Sequence, residues 1–305
     1  MRRGTYSIVA HDHGTGECGV AVQSHWFSVG SVVTWGRAGV GAVATQSLAD
    51  PAYGPRLLEA LAAGEEPQAA LDRLVAADPQ GRFRQVAVVS AKGAVAVHTG
   101  DGCIAYAGHR TGERFSAQAN MMANGTVWGA MADAFEAAEG SLARRLMAAL
   151  DGAEAAGGDA RGRQSAALLV VPAQGEEWHR TELRVEDHPE PLEELRRVLT
   201  VREAYDLAEK ADEAMGEGRH EDAARYGAEA LALSPENHEF MFWAGLGMAQ
   251  AGDMDDALAM VRRAIELQPG WAELLGRLDP EIAPGAAAVL AELQGAEARS
   301  EERAG

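Results

Sequence analysis

Two segments near the C-terminal end, GRHEDAARYGAEALALSPEN from Gly218 and GDMDDALAMVRRAIELQPGW from Gly252, superpose without a gap at an offset of 34 residues. Gly218 falls on Gly252, Ala223 on Ala257, Ala230 on Ala264 and Pro235 on Pro269. No other feature constrains the fold as strongly, because it requires one supersecondary unit to be built twice. Alanines at fixed positions let two helices approach closely, and each proline ends the second helix of a pair. Ala211 and Gly245, at the same offset of 34, are small residues as well. Two copies fall short of the roughly three that such arrays need to stand alone. They are therefore expected to pack on the N-terminal part, on the helices after Trp271, or on a second copy of the chain.

The N-terminal part follows a different period. TYSIVAH, ECGVAVQS, SVVTW and VGAVAT, between Thr5 and Thr45, are rich in β-branched residues and separated by glycine-containing turns, and read as strands. HDHGTGE makes the first two a hairpin. Between Tyr53 and Ala77 the apolar residues recur at three- and four-residue intervals, predicting two amphipathic helices. RQVAVVSAKGAVAVHTG is a second hairpin turning at Lys92 and Gly93, and RFSAQANM returns to strand. VWGAMADAFEAAEG and SLARRLMAALDGAEAAG form another helical pair. SAALLVV, apolar throughout, predicts a strand covered on both faces, and ELRVE a last one. Strand blocks alternating with helix pairs suit an α+β domain with two facing sheets and helices outside, a four-layer αββα sandwich. DHPEPL, with two prolines, marks the change to helix, so the domains are placed at 1–190 and 191–305.

Composition removes several classes of function. The 305-residue chain has 27 Lys+Arg against 46 Asp+Glu, a formal net charge of −19 that repels nucleic acid and anionic membranes. The two cysteines, Cys18 and Cys103, support neither a disulfide framework nor a zinc site and read as buried thiols. MRRGTYSIVAHDHG lacks the apolar core of a signal peptide, and no apolar run is long enough to span a bilayer, so a cytoplasmic protein is expected.

Common catalytic signatures are absent: there is no GxSxG, HExxH, P-loop or GxGxxG opening a helix after a strand. His11, Asp12 and His13 occupy a strand-to-turn passage where neighbouring side chains diverge, so no metal site is expected there. No cofactor is called for. Polar residues at otherwise apolar strand ends are pocket candidates instead: Ser24, His25, Gln46 and Asn120, with Asp159 and Arg161 in the loop GGDARG. Asn120 has an amide that can donate to an oxyanion, as can the backbone of GVGAVA. Asp159 and Arg161 can pair or hold a charged substrate, and His25 can orient a substrate or titrate near neutrality. Each can equally satisfy a buried hydrogen bond.

The helical period resembles the tetratricopeptide repeat over about residues 204–271, which implies either a peptide-binding groove or a packing and self-association module. Its acidic face leaves basic ligands open. The stretch TYSIVAHDHGTGECGVAVQSHWFSVGSVVTWGRAGVGAVATQSLADPAYGP resembles domain of unknown function 1028, as do RQVAVV, FSAQANMMA, GGDARGRQSAALLV and LRVEDHPEPLEELRRVL; together they cover about residues 5–200. That family is classed as N-terminal-nucleophile-hydrolase-like, which implies the αββα sandwich. The superfamily places a Thr, Ser or Cys at the start of the first strand, freed as the N-terminus so that its own α-amino group acts as base; Thr5 matches. An α-amine titrates near 7.7–8.0 and can take a hydroxyl proton at neutral pH, but here only once Met1–Gly4 has been removed. The reading that results is an amidohydrolase acting on a small amide or peptide-like substrate, with Thr5 and Asn120 catalytic. Alternatives are a non-catalytic binding scaffold that assembles through its repeats, and an enzyme using Ser24 or His25 without processing.

Overall fold

The computed structural model describes residues 4–304, with side chains described through residue 295. The chain forms two compact units, Met1–Leu199 and Thr200–Gly305. The first is mixed α+β, with two wholly antiparallel sheets. The larger contains β1 (Thr5–His11), β2 (Cys18–Ser24), β7 (Gly108–Gly112), β8 (Phe115–Asn120), β9 (Ser165–Val171) and β10 (Thr181–Val185) in the order β10-β9-β2-β1-β8-β7. The smaller contains β3 (Thr34–Arg37), β4 (Gly41–Ser47), β5 (Arg84–Ser90) and β6 (Val95–Thr99) in chain order.

Alternation along the strands accounts for the packing. Tyr6, Ile8 and Ala10 of β1 and Leu168 of β9 share one cluster with Met131 and Phe135 of α4 (Val127–Ala137) and Leu142, Leu146 and Leu150 of α5 (Leu142–Ala155). The intervening residues face the other way: Val9, Val20, Val22 and Leu169 of the larger sheet meet Ala42, Ala44, Ala87 and Val89 of the smaller. The opposite face of the smaller sheet, with Val43, Val86 and Val88, packs on Tyr53, Leu57 and Leu58 of α2 (Tyr53–Ala62) and Leu71 of α3 (Pro67–Ala77). Strand β9 contributes to clusters on both its faces, as its unbroken apolar run predicts.

Two local readings need correction. SVVTW is not one strand: Gly30–Val33 is a single helical turn, α1, and β3 begins only at Thr34. Val29 and Val33 are both buried in the cluster between the sheets, and a helical turn brings them to within about 6 Å along the axis, where an extended strand would hold them roughly 13 Å apart. The turn closes through Ser31 Oγ donating to the Ser28 carbonyl and Thr34 Oγ1 donating to that of Gly30. Strand β7, GHRTG, escapes sequence reading because it is short, polar and flanked by glycine; as an edge strand it needs pairing on one side only.

The second unit is helical, with α7 (His220–Leu233), α8 (His238–Ala251), α9 (Met254–Leu267), α10 (Gly270–Leu275) and α11 (Ala286–Ala304). The unit boundary falls inside α6 (Pro191–Gly216), because Leu192, Leu195 and Leu199 are buried in the α4/α5 cluster. Both repeat glycines are left-handed, Gly218 at φ 75° and Gly252 at φ 98°, and Gly252 caps α8 in a conformation costly for other residues. The helices after Trp271 join the repeat core through Leu275, Ala283, Ala286 and Val289, and Trp271 stacks on Phe242 with ring centroids 4.4 Å apart. Among the described residues no helix is long and apolar enough to cross a membrane.

Candidate functional site

Register brings the chemistry to one end of the two sheets. Thr5 lies opposite Ser24 on one side and Asn120 on the other, and Ser24 lies opposite Ser165. In the smaller sheet Gln46 lies opposite Gln85, which lies opposite Thr99. On the facing surfaces the apolar cluster of Val9, Val20 and Ala44 gives way here to amides and hydroxyls. Ser7 Oγ donates to Gln46 Oε1 at 2.6 Å, and Gln118 Nε2 donates to Ser7 Oγ at 2.7 Å. Gln85 Oε1 accepts from Gln46 Nε2 at 2.7 Å and from Asn120 Nδ2 at 3.0 Å. Thr5, Ser7, Gln46, Gln85, Gln118 and Asn120 are all buried. A buried amide network survives only when nearly every group is paired, and then it fixes one arrangement. One acceptor stays unpaired, Asn120 Oδ1 beside Thr5.

A second cluster meets the start of β1. The loop after α5 returns along the end of β8: Ala123 N donates to the Gly158 carbonyl, Ala160 N to that of Met121, and Met122 bridges Asp159. So placed, Asp159 forms a two-pronged pair with Arg161, Nη2 to Oδ2 at 2.7 Å and Nε to Oδ1 at 3.1 Å. It also accepts from the backbone N–H groups of Arg161 at 2.9 Å and His25 at 3.1 Å. Four donors fill the four lone-pair positions of a carboxylate.

Both clusters close on the Gly4–Thr5 peptide. The Gly4 carbonyl accepts from Arg161 Nη2 at 2.8 Å and from Ser24 Oγ, while Thr5 Oγ1 donates to Ser24 Oγ at 3.1 Å. The carbonyl preceding the candidate nucleophile is thus polarised by a hydroxyl and a guanidinium. Directly after Gln46 and Asn120, Ser47 and Met121 have positive φ, 69° and 57°, a conformation costing roughly 1–2 kcal/mol each in non-glycine residues. Tyr6, next to Thr5, donates from its hydroxyl to Glu154 at 2.7 Å; burial, then the Glu154 charge, holds its phenol well above the ordinary tyrosine value.

The structure therefore draws together Thr5, Ser24, Gln46, Asn120, Asp159 and Arg161. His25 contributes its backbone N–H, and its side chain is exposed. Asn120 Nδ2 is taken by Gln85 and by the Thr5 carbonyl at 3.4 Å, which leaves the residue an acceptor to offer. Sequence reading missed Gly4, Ser7, Gln85, Ser116 and Gln118. The alternation Ser116, Gln118, Asn120 in FSAQAN was the available signal, since every second residue of a strand shares a face. At the other end of β1, Asp12 caps its turn by accepting from Gly14 N and Thr15 N and pairs with Arg145 at 3.1 Å. Among the described residues no three His, Cys, Asp or Glu side chains converge as a metal site.

Comparison with known proteins agrees with this division of the chain. A model described as a family of unknown function, DUF1028, matches residues 5–195, and a tetratricopeptide repeat model matches residues 214–278. The crystal structure of protein SPO2555 from Silicibacter pomeroyi, titled as DUF1028, is similar with a TM-score of 0.60 at 32% identity, over 64% of this chain and 88% of that one. The Hsp70-Hsp90 organizing protein of Triticum aestivum is 36% identical over 69 residues, 23% of this chain. This chain spans 12% of that relative's length.

Proposed function

The chain belongs to the DUF1028 family, a family of unknown function, and on that premise we propose that its N-terminal unit is an N-terminal-nucleophile amidohydrolase with Thr5 as nucleophile once Met1–Gly4 is released. Two features support the reading. The helix-sheet-sheet-helix succession of clusters supports the αββα layering that this reading implies. The observation that carries it is the Gly4 carbonyl, held by Ser24 Oγ and Arg161 Nη2 next to the Thr5 hydroxyl. Met1–Arg3 lie outside the described residues.

In this mechanism the freed α-amine of Thr5 takes the hydroxyl proton as Oγ1 attacks a small amide or peptide-like substrate. The tetrahedral oxyanion forms where the Gly4 oxygen lies and takes the same two donors, with Arg161 held in place by Asp159. The proton passes to the leaving amine, and water hydrolyses the Thr5 ester. Asn120 acts through its unpaired Oδ1, accepting from the α-amine. Gln46 holds the network.

Intact mass of the purified protein is the direct test: the reading requires a chain beginning at Thr5. Activity on chromogenic amides should then fall by about 10³-fold or more in Thr5→Ala. A chain that keeps Met1 or Arg2 while active would overturn it.

The tetratricopeptide match suggests protein–protein interaction for the second unit, and this favours a second reading, a binding scaffold. Trp243 of α8 and Leu233 of α7 are exposed apolar side chains on the repeat helices, suited to a protein partner or a second copy. Loss of complexes on deleting the repeats would support it.

A further inference from the structure

Gly4 occupies the place that the acyl group of a substrate must take, because the carbonyl attacked by Thr5 Oγ1 lies next to it whether it belongs to the chain or to a substrate. The surroundings of Gly4 therefore describe the acyl subsite. A Cβ added to Gly4 would lie 2.9 Å from Asp159 Oδ1, 2.9 Å from Asp159 Oδ2 and 3.0 Å from Arg161 Nη2. Side chains normally yield to such contacts by rotating. Here they are pinned: Asp159 is buried and holds four hydrogen bonds, two of them from backbone N–H groups. Arg161 is tied by two of the same bonds and by its bond to the Gly4 carbonyl. A methyl group at this point would displace the guanidinium that polarises the carbonyl, or break the pair that positions it. A hydrogen-bonding substituent fares no better, since the lone pairs of Asp159 are already occupied.

Resting on the hydrolase reading above, we propose that the site selects amides whose acyl group has an unsubstituted α-carbon, a CH₂ as in a glycyl group, and rejects α-branched acyl groups, with Asp159 and Arg161 as the selecting wall. Because the wall also carries the oxyanion donor, an α-methyl group is excluded at the transition state as well as in binding. A misplacement approaching 1 Å at a reacting centre costs on the order of 10²-fold in rate, and the discrimination is expected in kcat/KM at that scale.

The test uses full-length protein whose mass begins at Thr5, with N-acetylglycyl-4-nitroanilide and N-acetyl-L-alanyl-4-nitroanilide as probes. The expected result is turnover of the glycyl probe that is lost in Thr5→Ala, with kcat/KM for the alanyl probe lower by about 10²-fold. In Asp159→Ala, which removes both oxygens that a Cβ would meet, the glycyl rate drops and the ratio narrows toward unity. Equal turnover of the two probes, or a ratio unmoved in Asp159→Ala, overturns the subsite while leaving the hydrolase reading intact. Failure to turn over either probe with Thr5 free overturns both.

Discussion

At the scale of single residues, the part-buried ion pair Arg84–Asp78, whose arginine is buried, shows how much one group depends on its partner. Its N···O distance is 2.7 Å, with side chains 9% and 14% exposed, and Tyr53 Oη also donates to Asp78 at 3.1 Å. Asp78→Ala should cost about 3–5 kcal/mol in urea unfolding, because Arg84 stays buried without its partner, and the double change Asp78→Ala with Arg84→Met should cost less. The Arg84 hydrogen bond holds the Asp78 carboxyl below its usual value. A lowered folded value means the unfolded chain binds the proton more readily. The stabilisation is therefore complete above about pH 4, the ordinary carboxylate range, and is lost as pH falls through the folded value. A stability profile that stays flat on acidification would contradict this. At the candidate site, residue type exposed Ser24, Gln46 and Asn120 at the ends of apolar strands and Asp159 with Arg161 in a glycine-rich loop, whereas Thr5 came from the family resemblance. Gly4 was not legible there, because a glycine's meaning lies in what surrounds it.

Elements were legible wherever a period ran long enough. The helical repeat, both helix pairs of the first unit and most strands follow from spacing, whereas α1 and β7 are too short to show one. Small residues show best how an element's interior serves its neighbour. In α8 a Cβ on Gly245 would lie 2.9 Å from the Ala257 carbonyl of α9 and 2.8 Å from Val261 Cγ2. Gly→Ala inside an exposed helix gains up to about 1 kcal/mol; here the sign should reverse. Gly245→Ala should destabilise the second unit by about 1–3 kcal/mol, since the backbone of α9 must move to make room. Far-UV circular dichroism during urea titration would show it, and a gain in stability would mean that α8 and α9 are not packed this closely.

At the scale of the whole molecule, the formal net charge of −19 sets the response to salt. Exposed ion pairs such as Arg277–Glu273 and Arg263–Glu266 contribute little each, so screening of the unbalanced negative charge should outweigh their loss. Raising ionic strength from about 0.01 to 0.15 M, which shortens the screening length from roughly 30 to 8 Å, should raise Tm by about 2–4 °C for a gain near 1 kcal/mol; a fall in Tm would show that the ion pairs dominate. Charge, the repeat and the α+β character were determined by the sequence alone, because composition is additive and periodicity is written over neighbouring residues. The meeting of Gly4, Ser24, Asp159 and Arg161 was decided only by the tertiary structure. Arg161 reaches Gly4 across 157 positions of chain, and no local pattern encodes a contact that depends on strand register and on where a loop docks.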